Sequence, residues 1–334
     1  MNENNGAGKI FFGAIIIAVC LILWVRLDKS LHKDKAQEPT GDPYAQITLV
    51  PEPTAEPGGT EPVVTDVPAE NVTPEITVTP EATATPEPTP TPEPLEEMPS
   101  TGIELLSGTP AEVTDAAFHA AAEYMGALQY DGRWQKIICI GDSLTAGVQG
   151  GEGVSYQNPW PVVMRIFLNV SVENAGIGGS TIWHGGGDAM CYRVKQLGEA
   201  DAIFIMGGTN DWLCGEACPI GSPDEEGSFA YDANAMFAYV AENYPDADIF
   251  VILPLEPKKE PDTVGNTLEE FREAERKLAQ HYGFYIIDLA SVGILNAKDP
   301  VIRENYYSDD IHLNTMGYQI LGTLITSEAL KMTD

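Results

Sequence analysis

Apolar and polar positions along this chain form blocks that predict strands and helices in turn. Strand patterns occur at 136–141, 168–174, 202–207, 248–254 and 284–288, and the run of four apolar residues at 137–140 is typical of a strand buried on both faces. Segments with helical spacing occur near 109–125, 158–167, 190–197, 228–244, 267–282 and 315–331. Because the two kinds of element alternate, we expect an α/β fold: a three-layer α/β/α sandwich built on a parallel sheet of about five strands.

Two of the predicted helices have clear start signals. Thr109 precedes a proline and has Glu112 three residues later, and Thr267 stands in the same relation to Glu270. Gly283 follows the second of these helices and predicts its end.

The first 35 residues follow a different pattern. Residues 10–25 are an uninterrupted apolar run, which as a helix spans about 24 Å at about 1.5 Å per residue. This is short for a bilayer core of about 30 Å, but the flanking Lys9 and Arg26 can extend to the interface. We therefore predict a single-pass N-terminal anchor. The alternatives are a cleaved signal peptide, although no small-x-small site follows, and a lipoprotein signal at Cys20.

Residues 36–102 are rich in proline, threonine and glutamate. Such a composition cannot bury a core and favours an extended spacer. The predicted organisation is an anchor with its flanks at 1–35, a disordered linker at 36–102 and a folded domain at 103–334. The basic residues after the apolar run favour a cytoplasmic domain, whereas a stalk of this kind favours an external one. We expect a cell-membrane protein with its folded domain outside.

The charge of the chain limits its partners. The formal net charge is −32, and no lysine or arginine occurs between Lys35 and Arg133. This excludes a general nucleic-acid binder, which needs cations to release counterions from phosphates.

Cys214 and Cys218 are four positions apart without a second ligand cluster, so we expect no zinc. Cys191 and these two cysteines can be free thiols or form a disulfide, and both readings stay open.

Four short polar segments carry the candidate chemistry. Three of them directly follow predicted strands, and the fourth precedes the last predicted helix. Since the carboxyl ends of parallel strands meet at one edge of a sheet, we expect all four to converge there. They are Gly141-Asp142-Ser143-Leu144, the glycine-rich segment 174–181, Gly207-Gly208-Thr209-Asn210-Asp211 and Asp309-Asp310-Ile311-His312.

These residue types fit acyl transfer. Ser143 is a weak nucleophile unless a base takes its proton, and His312 is the candidate base. Asp309 or Asp310 can orient the imidazole, and the spacing favours Asp309. The glycine-rich turn, the side-chain amide of Asn210 and the Ser143 N–H can donate to an oxyanion.

The ordered set resembles the SGNH, or GDSL, hydrolases over roughly residues 134–332. The resemblance implies a flavodoxin-like fold, esterase or lipase activity, and no metal or organic cofactor. Asn174, Gly179 and Thr181 match the family pattern Asn-x-x-x-x-Gly-x-Thr. Asp310 stands where the family usually has glycine. The resemblance implies that Ser143 is the nucleophile and that Gly179 and Asn210 are oxyanion donors. It also implies that His312 is the base and that Asp309 orients it.

We expect a serine esterase that deacetylates cell-surface or extracellular carbohydrate. Its partners are then an acylated glycan and, through the N-terminal helix, the membrane, with no nucleic acid; the oligomeric state stays open. The alternatives are a lysophospholipase or thioesterase, and a non-catalytic glycan-binding module on the same fold. His184 and Trp212 are further candidates for lining the substrate pocket.

Overall fold

The computed structural model describes residues 108–150, 153–154 and 159–334. The predicted anchor at 1–35 and the predicted linker at 36–102 lie outside the described residues. Within the described part, none of the helices combines the length and the apolarity that a membrane span requires.

Five parallel strands form the central sheet, and two short antiparallel strands form a hairpin beside it. The strands are β1 Lys136–Gly141, β2 Val148–Gln149, β3 Gly153–Val154, β4 Ser171–Gly176, β5 Ala202–Met206, β6 Asp248–Ile252 and β7 Tyr285–Ile287. The order in the sheet is β4-β1-β5-β6-β7, so β4 lies on one side of β1, and β5, β6 and β7 follow in turn on the other side. This is the flavodoxin-like strand order.

Helices cover both faces of the sheet, so the predicted three-layer α/β/α sandwich is confirmed. The helices are α1 Pro110–Ala127, α2 Ser143–Ala146, α3 Trp160–Leu168, α4 Met190–Arg193, α5 Thr209–Leu213, α6 Phe229–Asn243, α7 Leu268–Tyr282, α8 Pro300–Tyr306 and α9 Thr315–Thr333. One apolar cluster contains residues of α1, α3 and α9, and the other contains residues of α4, α6 and α7. Along β5, Phe204 faces the first cluster while Ile203 and Ile205 face the second, as the two-residue period of a strand requires.

The helix signals in the sequence are confirmed, but one strand is displaced. Both capping boxes form, and Gly283 ends α7 with a φ of 71°. β4 begins at Ser171, whereas the apolar pattern predicted a start at 168, because Leu168 still belongs to α3. Asn169 ends that helix in the left-handed conformation. β4 is also an edge strand with partly exposed residues, so it is not buried on both faces.

Three strands end at the same level of the sheet. Gly141 of β1 pairs with Gly176 of β4 on one side and with Met206 of β5 on the other. A β-carbon at Gly141 would collide with the Thr145 side chain, and one at Gly176 would collide with the Ala146 backbone. The two glycines therefore allow α2 to pack directly on the strand ends.

A buried carboxyl group lies under one of these strand ends. Glu275 of α7 is fully buried, and neither of its carboxylate oxygens has a partner among the described residues. It lies against Gly208, where the chain leaves β5 with a φ of 93°. Burial raises the pKa of Glu275 well above its ordinary value, and the nearby Asp211 raises it further.

We expect Glu275→Gln to change how stability depends on pH. Because the folded-state pKa of Glu275 is raised, the wild type takes up a proton on folding and loses stability as pH rises above the unfolded-state pKa. Above about pH 5, the free energy of unfolding of the variant should rise relative to that of the wild type by about 1.4 kcal/mol per pH unit, until Glu275 ionises in the folded state. Urea unfolding of both proteins at several pH values measures this difference.

Glu242→Gln is the matched control, because Glu242 is an exposed residue of the neighbouring α6. Its difference from the wild type should not vary with pH. A pH-independent difference for Glu275→Gln as well would contradict the raised pKa.

Candidate active site

Ser143 is placed by the turn between β1 and α2. It is the first residue of α2, and its side chain is largely buried. The preceding Asp142 caps this helix by accepting a hydrogen bond from the Leu144 N–H at 2.8 Å. Burial raises the pKa of Asp142 to about 7, against the effect of that hydrogen bond. The serine hydroxyl is thereby fixed at the carboxyl edge of the sheet.

The segment between α8 and α9 brings a histidine to this hydroxyl. His312 Nε2 lies 3.0 Å from Ser143 Oγ, and His312 Nδ1 lies 2.7 Å from Asp309 Oδ2. Serine, imidazole and carboxylate thus form one hydrogen-bonded chain, as the spacing in the sequence predicted. This is the arrangement in which an imidazole can take a proton from a serine.

The two neighbouring aspartates have different contacts. Asp309 Oδ1 accepts hydrogen bonds from the backbone N–H groups of Ile311 at 2.7 Å and His312 at 2.6 Å, which turn its carboxylate back toward the imidazole. Partial burial opposes ionisation of Asp309, but these bonds and the imidazole outweigh it and hold its pKa below the ordinary value. The Asp310 carbonyl instead accepts from the backbone N–H groups of Lys258 and Lys259 at 2.8 and 3.2 Å.

The hairpin that follows α2 supports the acid from the other side. The Gly150 N–H donates to Ser308 Oγ at 2.8 Å, and a β-carbon at Gly150 would collide with the Asp309 carboxylate. Tyr318 of α9 donates to the Val148 carbonyl at 2.6 Å and holds the hairpin in place. The two-residue strands of this hairpin are too short to leave a pattern in the sequence.

Possible donors to an oxyanion lie on the segments after β1, β4 and β5. Gly179 has a φ of 76°, and its N–H donates to none of the described residues. Asn210 Nδ2 donates one hydrogen to the Ser180 carbonyl at 2.9 Å, which leaves its second amide hydrogen available. The Ser143 N–H, at the start of α2, has no intrahelical acceptor.

Two polar side chains tie these segments to one another. Asn174 of β4 donates to the Thr145 carbonyl at 2.8 Å and accepts from the Gly176 N–H at 3.0 Å. Asp211, fully buried in α5, accepts from the N–H groups of Ile182 and Trp183 at 3.0 and 2.8 Å. Burial raises the pKa of Asp211 to about 6 despite these bonds.

The further pocket candidates have structural partners. Trp212 is buried in the apolar cluster of α4, α6 and α7, which assigns it to packing. His184 Nδ1 lies 2.6 Å from the carboxylate of Asp232, which also accepts the His184 N–H at 2.8 Å. This aspartate was not visible as a partner in the sequence, because it lies 48 positions away.

Cys191, Cys214 and Cys218 are free thiols. Cys191 and Cys218 are buried, Cys214 is partly buried, and burial raises the pKa of Cys191 to about 12. Among the described residues, no three histidine, cysteine or acidic side chains are grouped so that they could hold a metal ion.

Comparison with known proteins shows which family this chain is similar to. Residues 139–320 match the model of the GDSL-like lipase/acylhydrolase family. A crystal structure of a protein from Lactobacillus plantarum has 22% identity and a TM-score of 0.52, and the match covers 58% of this chain and 95% of that one. No curated protein matches the sequence.

Two further solved structures are similar at lower scores. One is a lipase/acylhydrolase from Enterococcus faecalis, with 21% identity, a TM-score of 0.43 and coverage of 57% of this chain and 93% of that one. The other is a carbohydrate acetylesterase from Sinorhizobium meliloti, with 19% identity, a TM-score of 0.44 and coverage of 59% and 99%.

The matched span takes in more than half of the chain and runs from the middle of β1 into α9, so it contains every segment that meets at the serine. That span identifies a carboxylic-ester hydrolase, and the chain belongs to the GDSL-like lipase/acylhydrolase family.

Proposed function

We propose that Ser143 is the nucleophile of this esterase, His312 its base and Asp309 the acid that orients the imidazole. The hydrogen-bonded chain from Ser143 Oγ to Asp309, with steps of 3.0 and 2.7 Å, carries this assignment. The carboxylate fixes the tautomer with a proton on Nδ1, so that Nε2 is free to accept the serine proton.

The reaction then has two halves. Ser143 Oγ bonds to the ester carbonyl carbon while His312 Nε2 takes its proton. The imidazolium returns that proton to the alcohol oxygen as the ester C–O bond breaks, which leaves an acyl group on Ser143. Water then attacks the acyl carbon while His312 Nε2 takes a proton from it, and the imidazolium returns that proton to Ser143 Oγ as the acyl C–Oγ bond breaks and the carboxylic acid leaves.

The oxyanion formed in each half needs donors that are already in place. We propose the N–H groups of Gly179 and Ser143 together with the second amide hydrogen of Asn210. None of these is taken by another described residue, so all three are free to donate to an oxyanion.

We expect a fluorophosphonate probe to label the wild type and to leave Ser143→Ala unlabelled. Asp309→Asn should lose about 10³- to 10⁴-fold in kcat, because the imidazole loses both its orientation and its counter-charge. Initial rates with p-nitrophenyl acetate and gel fluorescence of the labelled protein measure these effects.

Asp310→Asn is the matched control, since the contact of that residue with its surroundings uses the backbone carbonyl. It should keep nearly wild-type labelling and turnover. Equal labelling of Ser143→Ala and the wild type, or a larger loss for Asp310→Asn than for Asp309→Asn, would overturn the assignment.

We further propose that the substrate is an O-acetylated glycan at or beyond the cell surface. The net charge of −32 disfavours approach to anionic phospholipid surfaces, which a lysophospholipase must reach. A spacer of the predicted kind would extend the domain toward wall polymers rather than hold it at the bilayer.

We expect kcat/KM to fall as the acyl chain lengthens from acetyl to octanoyl p-nitrophenyl esters. The same enzyme should release acetate from acetylated polysaccharide or O-acetylated peptidoglycan, with Ser143→Ala as the background control. A preference for long chains would favour the lysophospholipase or thioesterase reading. Glycan binding without any turnover would favour the non-catalytic module.

For location, we propose an N-terminal anchor with the catalytic domain outside the cell. The region between Lys35 and Arg133 has no trypsin site but several glutamates, so a glutamate-specific protease suits the test. Treatment of intact cells should release an active domain into the medium. A full-length protein that resists until the cells are permeabilised, as a cytoplasmic marker does, would contradict the proposal.

A further inference from the structure

One arginine donates hydrogen bonds to several segments of the site at once. Arg193, the last residue of α4, is partly buried. Its Nη2 donates to the Gly141 carbonyl at 2.9 Å and to Ser180 Oγ at 2.8 Å. Its Nη1 donates to the Ala175 carbonyl at 2.7 Å, and its Nε donates to the Asp188 carbonyl at 2.8 Å.

All four acceptors are neutral oxygens, so the cation is not held by an ion pair within the described residues. Burial lowers the pKa of Arg193, while the more distant carboxylates of Asp188 and Asp142 oppose that effect. A partly buried guanidinium keeps its charge, and hydrogen bonds to all of its nitrogens offset the lost solvation. A salt bridge therefore does not account for the position of this side chain.

The acceptors stand next to the proposed machinery. Gly141 ends β1 two residues before Ser143, and Ala175 lies near the end of β4. Ser180 directly follows Gly179, and its carbonyl accepts the hydrogen bond of Asn210. Through Ser180, the guanidinium is thus connected to two of the three proposed oxyanion donors, Gly179 and Asn210.

We propose that Arg193 is a positioning residue that sets the spacing of the oxyanion donors relative to Ser143. This rests on the proposed roles of Ser143, Gly179 and Asn210. One planar group holds the ends of two neighbouring strands and the turn that follows the second of them. Apart from the guanidinium, the Ile177 N–H also joins this turn to β1, because it donates to the same Gly141 carbonyl at 3.1 Å.

The geometry also explains why lysine cannot replace this arginine. The guanidinium carries five N–H donors in a rigid fork, and here that fork reaches acceptors on three sides. A lysine ammonium is a compact group at the end of a flexible chain, so it can reach some of these oxygens but cannot fix the angle between them.

The test compares Arg193→Lys with Lys195→Gln, a neighbouring exposed cation as the matched control. Active sites are counted by fluorophosphonate titration, so that misfolded protein does not lower the measured kcat. For Arg193→Lys we expect kcat per active site to fall about tenfold to a hundredfold with KM for p-nitrophenyl acetate little changed. The affinity for a trifluoromethyl ketone, whose adduct places an oxyanion in the site, should fall by the same factor.

A second variant covers the case in which Arg193→Lys is poorly folded. Arg193→Ala should regain part of its kcat when guanidinium ion is added at concentrations that leave the wild type unaffected. Hydrogen exchange adds a readout that does not depend on turnover: segments 140–144 and 175–181 should exchange faster in Arg193→Lys and be unchanged in Lys195→Gln.

Three results would overturn the inference: an unchanged kcat per active site, a loss equal to that of Lys195→Gln, or unchanged exchange in both segments. Failure of the proposed function has a different signature. In that case the wild type itself would neither react with the fluorophosphonate nor hydrolyse esters, and the exchange measurement alone would decide the role of Arg193.

Discussion

The registration of three parallel strand ends is the constraint on which the site depends. Gly141, Gly176 and Met206 pair at one level, so the segments that follow β1, β4 and β5 leave the sheet side by side. Ser143 begins the first segment, Gly179 lies in the second and Asn210 in the third. A β-carbon at Gly141 would collide with the Thr145 side chain and one at Gly176 with the Ala146 backbone, so both glycines are needed for α2 to pack on the strand ends. The main-chain hydrogen bonds of the sheet thereby set the spacing of the residues to which we assign the reaction.

The carboxyl groups buried beneath this edge have raised pKa values, whereas the carboxyl group of Asp309 at its surface has a lowered one. Asp142, Asp211 and Glu275 are buried, and burial raises the pKa of each. Asp309 is only partly buried, and its hydrogen bonds keep it ionised. The acid proposed to orient the imidazole is therefore next to solvent, whereas the carboxyl groups of Asp142 and Asp211, which accept hydrogen bonds from the turns, lie inside together with that of Glu275. Such a division lets one small region contain several carboxyl groups without strong mutual repulsion.

Much of this could be predicted from the sequence because the signals were local. The apolar runs identified the strands, the capping residues identified α1 and α7, and the glycine-rich turns after strands indicated the site. The predicted start of β4 was wrong because only Asn169 and Val170 separate it from α3, and no glycine or proline marks the boundary. The β2–β3 hairpin, the partners of Arg193 and the position of Glu275 under Gly208 depend on contacts between distant parts of the chain. No spacing within the sequence encodes such contacts.

The loop before α7 reaches the histidine segment through its main chain. The N–H groups of Lys258 and Lys259 hold the Asp310 carbonyl, while both lysine side chains point into solvent. Any amino acid except proline supplies the same N–H. Natural variation or protein engineering can thus change the size and charge of the side chains at positions 258 and 259 without removing the hydrogen bonds that hold the histidine segment. The loop can therefore vary in sequence while its main-chain support of that segment stays the same.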